Sequence, residues 1–228
     1  MPRPCWQHRI KEESADYFFD FFLFFLENGY QTHYRQKGVF MSSPTNAIDE
    51  IAKIFLTTTQ KTLETGTGQA ITFSSTIQDI PRVSMKPDVT SFVQFDGDYT
   101  GLVILNFSAE AAFEIYKKYM LAMGMPANEL ASTIRDSEVT DTIGEITNQL
   151  MGQLIKEVEE TFSLNAEFGQ PKALTLNSAI TLLIDAHFAE NRRLSFKINN
   201  YSFRIEIAME HTKFITLQTV QPQTPPVR

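Results

Sequence analysis

The chain has 228 residues, 43% of them hydrophobic and 21% charged, enough for one good-sized core and a composition that excludes global disorder. Its formal charge of −7 disfavours a nucleic-acid backbone as partner, because such binding draws on clustered Lys and Arg. A lone Cys5 and four scattered histidines, His8, His33, His187 and His211, provide no internal disulfide, zinc framework, redox pair or triad spacing; a cytoplasmic chain with no metal or cofactor of its own is expected.

Residues 16–30, D-Y-F-F-D-F-F-L-F-F-L-E-N-G-Y, form the most hydrophobic run. As a helix its apolar part is about 15 Å long, against about 30 Å of bilayer hydrocarbon, and Asp20 interrupts it. It does not span a membrane, and without a small-residue cleavage site it fits a secretory signal poorly. A packed or interfacial helix, and with it a membrane-associated adaptor, stays open. Residues 1–40 are expected to be an extension outside the common fold, 41–221 the folded domain and 222–228, P-Q-T-P-P-V-R, a loose tail. A chain beginning at Met41 is therefore expected to fold and keep its activity; loss of a cooperative melting transition on that truncation would refute the division.

Past S-S-P-T, Ile48, Ile51, Phe55 and Leu56 mark an amphipathic helix that should end before Gly66 and Gly68. Gln69–Asp79 reads as an edge strand broken by Pro81 and Pro87. Val89–Phe95 and Tyr99–Phe107 are clearer strands, separated by a D-G-D turn. Ser108 is placed to cap a helix over Ala109–Met123, with Ala112, Ile115, Tyr119 and Ala122 on one side, until Gly124 and Pro126 stop it.

The stretch Asp136–Phe162 is the longest helical pattern. At about 100° per residue, Val139, Ile143, Ile146, Leu150, Leu154 and Val158 line one side, while Asp141, Glu145 and Asn148 gather opposite. Gly152, one turn beyond Asn148, lies on that outward stripe, and a helix-interior glycine costs about 1 kcal/mol relative to alanine. Close approach of another backbone would justify it. Beyond this helix, Pro171 leads an apolar run over Ala173–Leu176 and Ile180–Ile184. Leu194, Phe196 and Ile198, then Tyr201, Phe203, Ile205 and Ile207, alternate about an Asn199-Asn200 turn, the pattern of a hairpin with one buried face.

The order of helix, strands, two helices and strands predicts an α+β domain with long helices packed on a largely antiparallel sheet. The pattern Asp141-x3-Glu145-x2-Asn148, followed after 22 intervening residues by Pro171, resembles the signature of the CheC/CheX/FliY phosphatases of bacterial chemotaxis. The upstream F-V-Q-F-D-G-D-Y-T-G-L-V-I-L-N-F-S and the later G-E-I-T-N-Q-L-M-G look like the CheX branch in particular, over roughly residues 44–220. Glu50 is followed three residues on by Lys53 in place of asparagine, so one site per chain is expected.

The resemblance implies a CheX/CheC-like fold, a homodimer joined through strands, and removal of the phosphoryl group from the aspartate of a CheY-type response-regulator receiver, whose own Mg²⁺ assists. The catalytic residues would be Glu145 and Asn148. An amide at Asn148 suits the positioning of a water, since it accepts from water and donates to a phosphoryl oxygen without a base's proton affinity. Glu145 would pair with the receiver's lysine. Asp141 would add docking charge or helix-start stabilisation, Gly152 would join the docking surface, and Pro171 would be structural. The alternative is a non-catalytic CheC-like module that docks a receiver or a flagellar switch component.

Overall fold

Helical and period-two patterns resolve into helices on one face of an antiparallel sheet. The computed structural model describes residues 40–41, 46–181, 190–212 and 217–218, all within the unit Phe40–Thr219. The run 16–30, Cys5, His8, His33, His187 and the tail 222–228 lie outside the described residues. In chain order the elements are β1 (Phe40–Met41), α1 (Ala47–Thr67), β2 (Ile71–Phe73), β3 (Gln78–Asp79), β4 (Ser84–Met85), β5 (Val89–Gly97), β6 (Gly101–Phe107), α2 (Ala109–Ala122), α3 (Ser137–Phe162), β7 (Ala166–Phe168), β8 (Lys172–Thr175), β9 (Ile180–Thr181), β10 (Glu190–Ile198), β11 (Tyr201–Met209) and β12 (Leu217–Gln218).

The main sheet runs β2-β10-β11-β6-β5, with β3 sharing the β2 edge and β7 and β8 sharing the far edge of β5. Its pairings are all antiparallel. The hairpin β10–β11 closes at Asn199, whose φ of 51° is a left-handed conformation that Asn tolerates better than most residues. Leu194, Phe196, Ile198, Phe203, Ile205 and Ile207 from this hairpin and Val103, Leu105 and Phe107 from β6 meet Ile48, Ile51, Phe55, Ile115, Ile143 and Leu150 of the helices in one buried cluster. Phe196 stacks on Phe203 at 5.0 Å, and Phe203 on Phe107 at 5.3 Å, so aromatic rings knit three neighbouring strands under the helices.

Four local readings are corrected. The first helix continues through Gly66 and ends with Gly68 as a left-handed cap, φ 64°, its N–H bonded to Glu64 O at 2.9 Å. In α2 the Ser108 hydroxyl accepts from Ala111 N at 3.2 Å as expected, but Tyr116 is buried and Ala122 exposed. Tyr99 precedes β6, buried in the turn. Finally, β11 is buried on both faces: Glu206 and Ala208 are as inaccessible as Ile205 and Ile207, while Tyr201 is 39% exposed.

The last correction has a definite cause. Residues 80–86 cross the outer face of the sheet, and Ile80, Val83 and Met85 pack there on Ile104 and Ala208. The polar residues of that face satisfy the crossing backbone. Glu206 accepts from Ser84 N at 2.8 Å; Asn106 accepts from Lys86 N at 2.7 Å and donates to Ser84 O at 2.9 Å. Buried polar groups survive when hydrogen-bonded, and alternation alone cannot tell a solvated polar row from an anchored one.

Candidate functional site

The α3 helix is fixed at its start by a network from α2. The Tyr116 hydroxyl donates to Glu138 at 3.0 Å and accepts from Ala131 N at 2.8 Å. Burial pushes this phenol up, with the Ala131 hydrogen bond opposing. Asp136, the residue before α3, accepts from Ser132 N and Thr133 N at 3.0 Å each, and these bonds, the backbone one from Thr133 foremost, hold its carboxyl below the usual carboxylate range. With Val139, Ile143, Ile146, Leu150, Leu154 and Val158 all buried, the helix has one rotational setting. Asp141, Glu145 and Asn148 are thereby directed outward, and all three are exposed.

They stand beside the β7–β8 loop. A groove of about 350 Å³ is lined by Thr140, Asp141, Gly144, Glu145, Asn148 and, across from them, Gln170, Pro171 and Lys172. At Gly144, β8 packs close to α3: a Cβ there would lie 3.7 Å from that of Ala173, an ordinary contact distance. Pro171 is buried at the entrance of β8, where no ladder N–H is required of it. The structure thus brings Asp141, Glu145, Asn148 and Pro171 together. Gly152 is set apart, lining the next groove along α3 with Ile155, Lys156, Glu159 and Phe168.

Glu145 is held and Asn148 is free. The Gln149 amide donates to Glu145 Oε1 at 3.2 Å and to the Tyr119 hydroxyl at 2.7 Å, using both of its hydrogens. Tyr119 is 9% exposed and seated in α2 against Gly66, where a Cβ would come within 3.2 Å of its ring. The side chains of Asn148 and Asp141 make no hydrogen bond or ion pair among the described residues. Sequence reading missed Gln149, although its place four residues after Glu145 is a standard helical pairing distance. It also missed Gln170 and Lys172, for which only Pro171 gave a signal. On α1, Glu50 and Lys53 are joined at 2.6 Å, so the position of a second site is filled by an ion pair.

The family model of DUF3334, a protein of unknown function, matches residues 43–225. The chain belongs to the DUF3334 family. No curated protein sequence matches it significantly. This DUF3334 chain is similar in structure to a chemotaxis protein CheX from Desulfovibrio desulfuricans, with 22% identity, a TM-score of 0.59, and coverage of 71% of this chain and 99% of that one. A CheC-like superfamily protein from Shewanella sp. PV-4 matches at 20% identity and TM-score 0.60, covering 73% and 99%. The CheX–CheY–BeF3–Mg²⁺ complex from Borrelia burgdorferi matches at 15% and 0.51, covering 70% and 97%. The DUF3334 fold is therefore the α+β fold of CheX and CheC-like chemotaxis proteins.

If the Gln149 bridge orients Glu145, its loss should be felt in docking. Gln149→Ala is expected to raise the KM of the activity proposed below severalfold with a smaller change in kcat, and Gln149→Glu, which cannot donate to Glu145 and adds like charge, to do more. Equal KM values for wild type and both variants would remove Gln149 from the site.

Proposed function

We propose that this chain is a phosphatase for the aspartyl phosphate of a CheY-type response-regulator receiver. The observation that carries the reading is an unbonded, exposed Asn148 amide one turn from a Glu145 held by Gln149, both at the edge of an open groove. The groove is shallow, which suits a phosphoryl group presented by another protein better than a small substrate to be enclosed. The kinship in fold with a CheX found in complex with CheY supports a receiver as partner.

Asn148 fixes a water in line with phosphorus and donates to a phosphoryl oxygen; the receiver's own lysine and Mg²⁺ stabilise the departing charge. Glu145 pairs with that lysine. A hundredfold acceleration needs about 2.7 kcal/mol, within reach of one well-placed amide and without a nucleophile on this chain. Asp141 sits in the second turn of α3, beyond the first-turn reach of the helix dipole, which favours docking over helix-start stabilisation. The chain works as a homodimer in the cytoplasm, where receivers are phosphorylated. Among the described residues no helix is long and apolar enough to cross a membrane.

The test is to mix the purified protein with a panel of phosphorylated receivers from the same cell and follow phosphate release. At least one receiver should lose phosphate faster than it does alone. Binding to phosphorylated receivers with no acceleration of any would leave a docking module, and neither binding nor acceleration would overturn the reading.

A further inference from the structure

Along the far edge of β5, β7 and β8 are two parts of one interrupted strand. Phe168 pairs with Phe95 and Lys172 with Phe92, so three residues, Gly169, Gln170 and Pro171, face only two, Val93 and Gln94. Gly169 continues the β7 pairing, its N–H donating to Gln94 O at 2.9 Å, and Pro171, next before Lys172, falls opposite Val93. Gln170 is the residue left over. Phe168 and Ala173 both pack against the core beneath the helices although they are an odd number of positions apart, which strict alternation forbids and one extra residue allows. A bulge of this kind re-aims a side chain.

The backbone that presents Gln170 is fixed on both sides. The Gly169 bond holds it from one end; at the other, the buried Pro171 locks its own φ and restricts the residue before it to extended conformations. The Gln170 side chain is exposed, makes no hydrogen bond among the described residues, and lines the groove across from Glu145 and Asn148. Each wall of the groove thus carries an unbonded carboxamide. Bulges also blunt sheet edges against unwanted pairing, but Pro171 and Lys172 already do so here, and neither calls for an amide beside them.

Two facing amides solve a problem that one leaves open. A water bonded to a single acceptor still rotates about that bond, and only some orientations turn a lone pair toward phosphorus; two acceptors, one for each hydrogen, fix it. A water's share of volume is about 30 Å³, so a groove of about 350 Å³ has room for it beside a phosphoryl group. We propose, resting on the receiver-phosphatase reading, that Gln170 is a second catalytic amide: its Oε1 accepts one hydrogen of the attacking water while Asn148 Oδ1 accepts the other. The water oxygen bonds to phosphorus as the bond from phosphorus to the aspartyl oxygen breaks, and that electron pair leaves on the receiver's carboxylate. One water proton passes to a phosphoryl oxygen, giving dihydrogen phosphate, and neither amide is protonated.

The test measures phosphate release from the phosphorylated receiver that the full chain turns over fastest, at saturating enzyme, together with binding of that receiver carrying a stable phosphoryl mimic. Gln170→Ala and Gln170→Met, the latter keeping the length and losing the amide, should each cut the acceleration about tenfold. Binding should stay within about twofold of wild type, and melting temperatures should not move, because the side chain is exposed. A merely structural role would shift the melting temperature, and a docking role would shift binding. Wild-type release from both variants, a loss confined to binding, or a lowered melting temperature would each overturn the proposal while the phosphatase reading stands. A wild-type chain that accelerates no receiver would overturn both.

Discussion

Asn148→Ala is expected to reduce receiver dephosphorylation at saturating enzyme by about a hundredfold, the loss of about 2.7 kcal/mol of transition-state stabilisation, while leaving binding of the receiver nearly intact. The asymmetry follows from when the contacts form: an amide that positions water and meets a phosphoryl oxygen matures in the transition state. In the free chain it has no partner to lose among the described residues, so the substitution should not disturb folding. Asn148→Asp should be worse than its shape suggests, since a carboxylate cannot donate a hydrogen bond and repels the phosphoryl charge. Glu145→Ala should weaken binding and turnover together. Binding is measured with a receiver carrying a stable phosphoryl mimic, turnover by phosphate release. Wild-type release from Asn148→Ala would sink its catalytic role, and unchanged release from both alanine variants would favour the docking module.

The placing of that amide was legible because α3 is a long amphipathic helix. Its period of buried Val139, Ile143, Ile146, Leu150, Leu154 and Val158 fixes which residues point out, whatever the helix packs on. The strands of the two main hairpins were legible for a similar reason, with bounds off by a residue or two. What was not legible depends on contacts between distant segments. Nothing near Asn148 announces that the β7–β8 loop stands across from it; that follows from the pairing of both β7 and β8 with β5. The anchoring of Ser84 by Glu206 joins residues 122 positions apart, and at the level of sequence Glu206 is one more polar residue on a strand's outer face. Gln149 falls between these cases: its distance from Glu145 is visible in the sequence, but its hydrogen bond to Tyr119 of α2 needs the helix packing.

Gly152 gives the second large effect and separates stability from docking. In α3 an added Cβ at Gly152 meets nothing within 4 Å, so this chain's own packing does not require a glycine there. Glycine inside a helix is nonetheless costly, through the backbone freedom it retains when unfolded. Gly152→Ala is therefore expected to stabilise the chain by about 0.4–1 kcal/mol, read as a rise of a few degrees in melting temperature. Gly152→Leu should also fold at least as well as wild type, since its side chain enters open space beside Ile155 and Phe168. If the bare stripe exists so that a receiver's backbone can lie against α3, both variants must lose affinity in order of size, the leucine variant by more than about tenfold, with kcat at saturation changed far less than in Asn148→Ala. The signature is a more stable protein that docks worse, which a purely structural role cannot produce. A leucine variant that binds the phosphorylated receiver as wild type does would confine the docking surface to the groove around Asp141, Glu145 and Asn148.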